Sequence, residues 1–286
     1  MKLSRKDFLK AAGASGLMLL KPPAMALSKD WQTHAGVAML IDVTKCVNCW
    51  WCYAACKEYN QLPETIKPDP ATPPALSSSV WTTLHLVQKG GVWVSRKHAC
   101  NHCTEAACVE VCPTGALSYN KLGFVQYDKE KCSGCGYCAE FCPFEVPQME
   151  VNKVTGVAIM NKCTFCHDRV TNGEQPACAA ACTTGAIKFG QCSDMIAEGE
   201  ERVKELRNDN LEAALYGVDE LHGLHVVYVL DDSPEVYGLP SAPEIPAATS
   251  VRDVFRWLGS GLAVAAVAGF GLNYLVARLR MRRGER

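Results

Sequence analysis

The sequence has no excess of charge of either sign. Its 286 residues include 29 lysines and arginines and 30 aspartates and glutamates, giving a formal net charge of −1. A bulk basic surface for nucleic acid is therefore not indicated. Aromatic residues are few, at 8%, and no pattern of a substrate pocket or of an activated nucleophile is present. These absences predict that the chain is not catalytic by itself.

Cysteine, in contrast, is abundant, with 17 residues in the chain. Cytosolic enzymes rarely contain so many, and scaffolds held by disulfides are usually shorter than this. The class that remains is a metal-dense redox protein. In such a protein the bound metal adds to the stability of the fold, so less hydrophobic core is needed.

All but one of the cysteines fall into four groups of four. Groups one and three have the spacing Cys-x2-Cys-x2-Cys-x3-Cys of bacterial ferredoxins, and all four groups end in Cys-x3-Cys. The spacing predicts four [4Fe–4S] clusters. In order, the groups are Cys46, Cys49, Cys52 and Cys56; Cys100, Cys103, Cys108 and Cys112; Cys132, Cys135, Cys138 and Cys142; and Cys163, Cys166, Cys178 and Cys182.

Zinc ribbons and disulfides are the alternatives for so many cysteines. A zinc ribbon uses two separated Cys-x-x-Cys pairs, and groups one and three are not divided in that way. Cysteines with two residues between them in a tight loop are poorly placed to pair with one another. Cys192 belongs to no group, and we predict that it is a free, structural cysteine.

Other residues near the cysteines have two interpretations each. Trp50 and Trp51 lie inside the first run, where they either shield a cluster from water or simply pack. His98, His102 and His167 lie close to cysteines. We expect these histidines to be structural, with contact to a cofactor of a partner as the alternative.

The N-terminus has the three parts of an export signal. Residues 4–10 are basic, residues 11–20 are apolar, and an Ala-Met-Ala cleavage site follows at 24–26. The basic part resembles a twin-arginine signal in which Lys6 replaces the second arginine. We expect residues 1–26 to direct export. Export together with a better-signalled partner and a retained N-terminal helix are the alternatives.

A charge-free stretch near the C-terminus points to a membrane. Residues 257–277 would span about 30 Å as a helix, which is the thickness of the hydrocarbon core of a bilayer. More arginines follow the stretch than precede it, so the positive-inside rule places the tail in the cytoplasm and the body on the outer, periplasmic or extracellular, face. The sequence predicts a transmembrane helix over 254–279 and a basic cytoplasmic tail over 280–286. A buried core helix is the alternative.

The region between the two ends contains an internal repeat. Cys-Pro-Thr-Gly-Ala-Leu at 112–117 recurs as Cys-Thr-Thr-Gly-Ala-Ile at 182–187, and the spacing of group one recurs in group three. Such repeats indicate a duplicated unit. We also predict strands over 37–43 and 224–230 and a polar helix over 193–215.

Two stretches of the chain have the composition of irregular structure. Residues 62–79 are rich in proline and serine and are predicted to form a surface loop. Residues 231–250 contain four prolines. We predict that they form an extended strap with little core of its own, lying on a partner.

With these patterns in place, the sequence resembles a known family. The spacing from Cys163 to Cys182 and the stretch Lys-Cys-Thr-Phe-Cys-His-Asp-Arg-Val at 162–170 resemble the iron–sulfur subunits of membrane-bound molybdenum or tungsten oxidoreductases. Within that superfamily, residues 223–230, the Tyr-Gly-Leu-Pro at 237–240 and the C-terminal helix are similar to the beta subunit of respiratory formate dehydrogenase. The export leader resembles the hydrogenase-associated relatives instead.

The resemblance implies an α+β fold of two pseudo-symmetric two-cluster ferredoxin domains of the bacterial type, followed by the transmembrane helix. Groups one and four would build one domain, and groups two and three the other. The expected boundaries are 27–92 with 147–192 for the first domain, 93–146 for the second, and 193–250 for a polar helix, a strand and the proline-rich strap.

The resemblance also implies a function. The chain would relay electrons through its four clusters between a large catalytic subunit, of the molybdopterin type, and a cytochrome b or other quinone-reactive subunit in the bilayer. The alternatives are an electron-transfer subunit of a membrane-bound hydrogenase or other respiratory reductase, and a freely diffusing ferredoxin-like carrier. A diffusing carrier needs neither a membrane helix nor a strap.

In a two-cluster ferredoxin, three cysteines of a run hold one cluster and the fourth reaches the other. Spacing alone leaves open which groups exchange their fourth cysteine, because neighbouring groups would serve equally well. The family resemblance implies that group one exchanges with group four, and group two with group three. The expected sets are Cys46, Cys49, Cys52 with Cys182; Cys163, Cys166, Cys178 with Cys56; Cys132, Cys135, Cys138 with Cys112; and Cys100, Cys103, Cys108 with Cys142.

Overall fold

The computed structural model of the chain describes residues 35–63, 68–69, 72–209, 212–246, 261–262, 265–266 and 268–279. The predicted export signal and the predicted basic tail lie outside the described residues. So do parts of the predicted loop over 62–79, the last residues of the strap and the beginning of the charge-free stretch.

Between residues 35 and 246, the described part of the chain forms ten strands and six helices, joined by short 3-10 turns. The strands are β1 (Val37–Asp42), β2 (Thr83–Lys89), β3 (Val92–His98), β4 (Leu117–Tyr119), β5 (Val125–Tyr127), β6 (Gln148–Val151), β7 (Ala158–Asn161), β8 (Ile187–Gln191), β9 (Ala214–Tyr216) and β10 (Val226–Leu230). The helices are α1 (Trp51–Tyr59), α2 (Ala107–Glu110), α3 (Tyr137–Glu140), α4 (His167–Thr171), α5 (Ala177–Ala180) and α6 (Cys192–Asn208). The mixed content agrees with the predicted α+β class.

A four-stranded sheet in the order β8-β1-β10-β9 forms the centre of this region. β1 pairs in parallel with β10, with Met39 opposite Val226, and antiparallel with β8, with Ile41 opposite Ile187. All residues of β1 and of β10 are buried. Strands buried on both faces read as continuous apolar runs, which is why both were predicted from sequence. β1 ends one residue earlier than predicted, and β10 begins two residues later.

The two faces of the central sheet carry different layers. Ala38 and Leu40 of β1 pack with Val227 and Val229 of β10 against helix α6. Met39 and its alternating neighbours face the larger core, which contains the cysteine loops. Because side chains alternate across a strand, a single sheet separates the layer of α6, which contains only the ungrouped Cys192, from the layer that contains the cysteine loops.

Helix α6 is shorter than predicted. It ends at Asn208 instead of reaching residue 215, and Ala214–Tyr216 forms β9, which pairs antiparallel with β10. The periodicity of the local sequence predicted that the helix would continue to residue 215. Residues 214–216 instead form backbone hydrogen bonds with the edge of β10, which local periodicity does not indicate. Gly199 allows α6 to approach the sheet closely, since a Cβ there would lie 2.6 Å from Leu215 Cδ1.

The prediction that the strap has little core of its own is wrong for its first half. Pro234–Tyr237 forms a 3-10 turn, and Tyr237 and Leu239 are 0% and 3% exposed. The Tyr237 carbonyl accepts a hydrogen bond from Arg96 Nε at 2.8 Å. Proline content predicted an extended segment but not the burial of the two large side chains between the prolines.

The C-terminal stretch is helical at residues 261–262, 265–266 and 268–279. Large apolar side chains on it are exposed, with Phe270 at 77% and Tyr274 at 64%. A search of the helices in the described residues finds none with the length and apolar character to cross a bilayer. The predicted transmembrane helix therefore stays a prediction.

Candidate metal centres

The first cysteine run lies between β1 and α1, in a loop fixed by a capped 3-10 turn. Asp42, at the end of β1, accepts hydrogen bonds from the backbone N–H of Thr44 at 3.0 Å and from its hydroxyl at 2.6 Å. Arg202 Nε lies 3.0 Å from the same carboxylate. The Cys46 N–H then bonds to the Val43 carbonyl at 3.3 Å, so the run begins at a fixed point.

Two residues of the first run have left-handed backbone conformations. Asn48 has φ = 55° and Trp50 has φ = 64°. Such conformations turn the chain tightly, so the thiols before and after them face the same side. Trp50 caps α1, and this helix carries Cys52 and Cys56.

The third run repeats this construction 86 residues further along the sequence. Asp128 accepts from the backbone N–H of Glu130 at 3.1 Å, and the Cys132 N–H bonds to the Lys129 carbonyl at 3.2 Å. The left-handed positions are Gly134 and Gly136, with φ = 70° and 80°. Two runs with the same spacing therefore form the same loop with different residues at the strained positions.

The structure brings the first run next to the last cysteine of the fourth. Cys46, Cys49 and Cys52 line a cavity together with Cys182. Trp50 and Trp51 line it as well. The Ser95 hydroxyl lies 3.0 Å from Cys46 Sγ, and the Ile187 N–H donates to Cys182 Sγ at 3.3 Å.

Two further cavities combine cysteines of groups two and three. Cys132, Cys135 and Cys138 line one of them with Cys112. A separate cavity is lined by Cys100, Cys103, Cys108 and Cys142, with Lys162 at its wall.

The remaining four thiols also lie together. Burial raises the pKa of Cys56, and the neighbouring Cys163 and Cys178 raise it further. Burial raises the pKa of Cys166 to about 12, with contributions from the same two neighbours. Cys56 of the first run is thus close to the three leading cysteines of the fourth. Three of the sets that the family resemblance implies thus line shared cavities, and in the fourth the charges of Cys163 and Cys178 act on both Cys56 and Cys166.

These thiols are costly to ionise without a compensating positive charge. Burial raises the pKa of Cys52 to about 12 and that of Cys142 to about 11. Coordination to a metal deprotonates a thiol outright, so bound iron would supply the missing charge. In the described residues, no group of three or more Cys, His, Asp or Glu side chains is arranged to hold a single metal ion. In a [4Fe–4S] cluster each thiolate binds its own iron, so the four thiols surround the cluster at a distance from one another.

Buried polar atoms test whether the cavities fit such a cluster. Within the described residues, Trp50 Nε1 is a buried donor that lacks a hydrogen-bond partner, and Trp50 lines the cavity of Cys46. Buried donors are nearly always satisfied, and cluster sulfurs accept hydrogen bonds. The orphaned Trp50 donor therefore fits an iron–sulfur cluster in this cavity. In the cavity of Cys132, the Tyr127 hydroxyl bonds to the Cys132 sulfur itself.

The repeated Thr-Gly-Ala sequence gives the thiols of Cys112 and Cys182 similar surroundings. Thr114 Oγ1 lies 3.7 Å from Cys112 Sγ, and Thr184 Oγ1 lies 3.7 Å from Cys182 Sγ. Hydrogen bonds from the Leu117 N–H and from Thr114 outweigh burial and lower the pKa of Cys112. The equivalence expected from the sequence repeat is present in the surroundings of the two sulfurs.

The three histidines have backbone or amide partners. His98 Nε2 lies 3.4 Å from the Phe144 carbonyl, His102 Nδ1 lies 3.0 Å from the Val125 carbonyl, and His167 Nε2 lies 3.2 Å from Asn120 Nδ2. Burial lowers the pKa of His98 to about 4, so this ring is neutral at physiological pH. These contacts agree with the structural role that was predicted.

The two tryptophans differ in exposure. Trp50 is 1% exposed and packs edge-to-face on Tyr53, with ring centroids 5.7 Å apart. Trp51 is 58% exposed. Since both line the same cavity, Trp50 forms its inner wall and Trp51 its solvent side.

Sequence reasoning missed two lysines. Lys97 and Lys162 are 4% and 1% exposed, and each lines a thiol cavity. A signal for Lys162 was available, because it directly precedes Cys163. Lys97 follows two other buried polar residues of β3, Ser95 and Arg96, and nothing in the local sequence marks these three as buried.

Comparisons with known proteins show which family the chain belongs to. Residues 92–192 match the family model of a 4Fe-4S dicluster domain. The nitrate-inducible formate dehydrogenase iron–sulfur subunit of Escherichia coli K12 is 36% identical over 290 residues, covering 96% of this chain and 94% of that protein. The formate dehydrogenase-O iron–sulfur subunit of the same organism is 37% identical, with coverages of 96% and 90%. The hydrogenase-2 operon protein HybA of E. coli O157:H7 is 27% identical, with coverages of 96% and 95%.

The thiol cavities and the dicluster match define an iron–sulfur protein whose cofactors are [4Fe–4S] clusters, and its 17 cysteines fit four of them. Over nearly its whole length, the chain belongs to the family of formate dehydrogenase iron–sulfur subunits.

Proposed function

We propose that the chain is the electron-transfer subunit of a formate dehydrogenase-like complex. It relays electrons between a large catalytic subunit and a quinone-reactive membrane subunit of the cytochrome b type. The observation that supports the proposal is that three cavities are each lined by three cysteines of one run and one of another, and that the charges of Cys163 and Cys178 act on Cys56.

We assign the ligands accordingly. The sets are Cys46, Cys49, Cys52 and Cys182; Cys163, Cys166, Cys178 and Cys56; Cys100, Cys103, Cys108 and Cys142; and Cys132, Cys135, Cys138 and Cys112. The shared linings of three cavities and the mutual proximity of the fourth set support this crossed assignment.

When bound, such clusters take up and release single electrons at potentials set by hydrogen bonds and solvent exposure. The chain's own residues control both quantities. Trp50 and Phe165, each 1% exposed, exclude water from the cysteine-rich core. Backbone N–H groups and hydroxyls, such as the Ile187 N–H at Cys182, donate to thiolate sulfurs and stabilise their negative charge.

The two halves of the cysteine-rich region support two ferredoxin-like domains. Ile187 of β8 pairs with Ile41 of β1, and Leu117 of β4 pairs with Tyr127 of β5. These residue pairs occupy equivalent places in the repeat: the first member directly follows the alanine of Thr-Gly-Ala, and the second directly precedes the aspartate of the capped turn. We assign groups one and four to one domain and groups two and three to the other, with a boundary near residue 92 and another near residue 147.

The names of the relatives support a complex with a catalytic subunit, since two of them are subunits of formate dehydrogenases. HybA, from a hydrogenase-2 operon, supports a hydrogenase as the alternative partner. The covered lengths are similar in both cases, and the higher identity favours the formate dehydrogenase branch.

We place the cluster-bearing body on the outer face of the cell membrane, anchored by the helix at 254–279. The charge-free sequence and the excess of arginines after it support this topology. The exposed apolar side chains of its described part, such as Phe270 and Leu272, need a lipid or protein environment.

The metal content tests the proposal. Protein purified without oxygen is expected to contain about sixteen irons per chain, because four groups of four thiolates each hold a [4Fe–4S] cluster. It should also copurify from membranes with a large subunit that carries a pterin cofactor. Zinc in place of iron, or an iron content near half of this value, would contradict the assignment. Copurification with a hydrogenase large subunit would favour the alternative partner.

A further inference from the structure

Lys97 and Lys162 are buried charges that the ligand assignment does not use. They are 4% and 1% exposed. In the described part of the chain, none of the ion pairs between a carboxylate and a basic side chain includes either lysine. Burying an uncompensated ammonium group costs several kcal/mol. Another negative charge must therefore compensate each of them.

Lys97 lies between two sets of thiols. It lines the cavity of Cys46, Cys49, Cys52 and Cys182. The charges that act most strongly on it include Cys178 and Cys163, which belong to the set of Cys56, and Cys52 from the cavity itself. Its position at the end of β3 thus places one ammonium group between two neighbouring sites.

Lys162 occupies a similar place between the second of these sites and a third. Its Nζ lies 3.7 Å from Cys100 Sγ and 3.0 Å from the Cys163 carbonyl oxygen. It lines the cavity of Cys100, Cys103, Cys108 and Cys142. The charge of Cys163, on its other side, acts on it as well.

Both lysines lie beside thiols of the assigned sites: Lys162 Nζ is 3.7 Å from Cys100 Sγ, and Lys97 lines the cavity of Cys46, Cys49 and Cys52. Among the described residues no carboxylate pairs with either lysine. The compensating negative charge is therefore that of the thiolate sites themselves.

We propose that Lys97 and Lys162 are positioning residues, each placed in the gap between two neighbouring [4Fe–4S] sites, where its fixed charge stabilises the reduced state on both sides. The proposal rests on the crossed ligand assignment above. It places three sites in a row, with the set of Cys163 in the middle and a lysine in each gap. The set of Cys132 has no such lysine among the residues described.

The sign of the effect follows from charge. Crossing a gap moves one electron from one site to the next, so one side is oxidised by one electron and the other is reduced by one, with no proton or other reactant. A positive charge between the sites favours the electron on either side of the gap. Removing it therefore lowers both potentials together and leaves the difference between them nearly unchanged.

The experiment is a redox titration, followed by electron paramagnetic resonance, of the anaerobically purified complex carrying Lys97→Met or Lys162→Met. We expect each variant to lower two of four midpoint potentials by about the equivalent of a tenfold change in the reduction equilibrium, which is 59 mV for one electron. The double variant should shift three potentials, the middle one most, and leave the fourth unchanged. Lys97→Arg and Lys162→Arg should restore values near those of the wild type.

Lys57→Met is the matched control. Lys57 is also 4% exposed and directly follows a cysteine, but its Nζ donates to the Pro63 carbonyl and lies 5.4 Å from the centre of the Tyr53 ring. It lines none of the cavities of the other three sets, and Lys97, not Lys57, is the lysine among the main charges that act on Cys56. Its removal should leave all four potentials unchanged.

Unchanged potentials in both Lys→Met variants, or equal shifts in the Lys57 control, would overturn the proposal. If a Met variant loses iron, the corresponding Lys→Gln variant is purified and its iron content is measured site by site. Loss confined to the two sites beside the lysine supports the proposal, and loss at all four makes the lysine a general structural residue and overturns it. Failure of the proposed function would be seen separately, as a wild-type protein without about sixteen irons.

Discussion

Cys56 is the residue that distinguishes a crossed arrangement from one in which each run binds its own cluster. It belongs to the first run by sequence, but Cys163 and Cys178 are the thiols whose charges act on it most strongly. It is carried there by α1, which begins at Trp51 inside the run and ends at Tyr59. The helix thus directs the fourth cysteine of the run away from the first three.

Cys56→Ala is expected to perturb the same cluster as Cys166→Ala and a different cluster from Cys49→Ala. Each variant should lose or convert roughly one quarter of the cluster signal, because one ligand of one cluster is removed. Electron paramagnetic resonance of the three reduced variants makes the comparison. Identical spectra for Cys56→Ala and Cys49→Ala would mean that each run holds its own cluster.

Cys192→Ala provides the control for these cysteine variants. Cys192 is 2% exposed and packs with Met195 and Val203 in the layer beyond the central sheet, away from the thiol cavities. All four cluster signals should be retained. The loss of one buried sulfur atom should cost only about 1 kcal/mol of stability.

At this scale the sequence was informative where the chemistry imposes a spacing. Thiolates that bind one cluster from one loop recur at short intervals, here with two residues between the first two cysteines of each group, so the four groups were visible directly. Lys97 obeys no such rule. Its burial depends on β3 lying against a cavity formed by Cys46 and Cys182, two residues far apart in the sequence. A strand residue gives no local sign of what will cover it.

The loops of the first and third runs show how one element is built from different residues. Asn48 and Trp50 hold the left-handed positions of the first loop, and Gly134 and Gly136 hold those of the third. Side chains other than glycine pay about 1–2 kcal/mol for this conformation. In the first loop, the buried indole of Trp50 and the hydrogen bond from Asn48 to the Trp93 carbonyl offset part of that cost.

Gly134→Ala and Gly136→Ala form a matched pair for this element. Both introduce a side chain at a left-handed position, which should destabilise each variant by about 1–2 kcal/mol. Only at Gly134 would the new Cβ overlap strand β7, 2.1 Å from the Ala158 carbonyl oxygen, whereas at Gly136 the space is open. The overlap should add about 1–3 kcal/mol.

The measurement is the guanidinium concentration at which the cluster absorbance is lost in anaerobic protein. Gly134→Ala should lose it at a clearly lower concentration than Gly136→Ala. Equal midpoints for the two variants would show that the contact with β7 does not limit the third loop.

Elements were predicted well where burial makes a strand apolar throughout, as in β1 and β10. The end of α6 was predicted wrongly, because the pairing of Leu215 with Val229 lies beyond the reach of local periodicity. The prediction for the first half of the strap was wrong for the same reason. Tyr237 is buried by Arg96 and its neighbours, which come from a hairpin much earlier in the chain.

The C-terminal helix has a face of small residues that suits contact with a partner in the proposed complex. Gly261, Ala265, Gly269 and Asn273 follow one another at intervals of four, and these residues share one face of a helix. Small residues on one face allow a second membrane helix to approach closely. Gly269 and Gly271 both have open space around them in this chain, so a substitution at either reports on a partner and not on this fold.

Gly269→Leu is therefore expected to reduce copurification with the proposed membrane subunit severalfold, whereas Gly271→Leu, on another face, should copurify normally. Cluster content should be that of the wild type in both. Membranes extracted in mild detergent and captured through this chain give the comparison. Normal recovery of the membrane subunit with Gly269→Leu would mean that this face is not the interface.

β1 leaves the ribosome long before either of the strands that flank it. Its neighbours β8 and β10 end only at Gln191 and Leu230. Pairing over such distances is slow, because the intervening chain must be gathered first. In the proposed ligand assignment, the three leading thiols of the first run are therefore synthesised well before Cys182, the fourth member of their set. The cavity of the first run can be completed only after most of the body of the chain has been made.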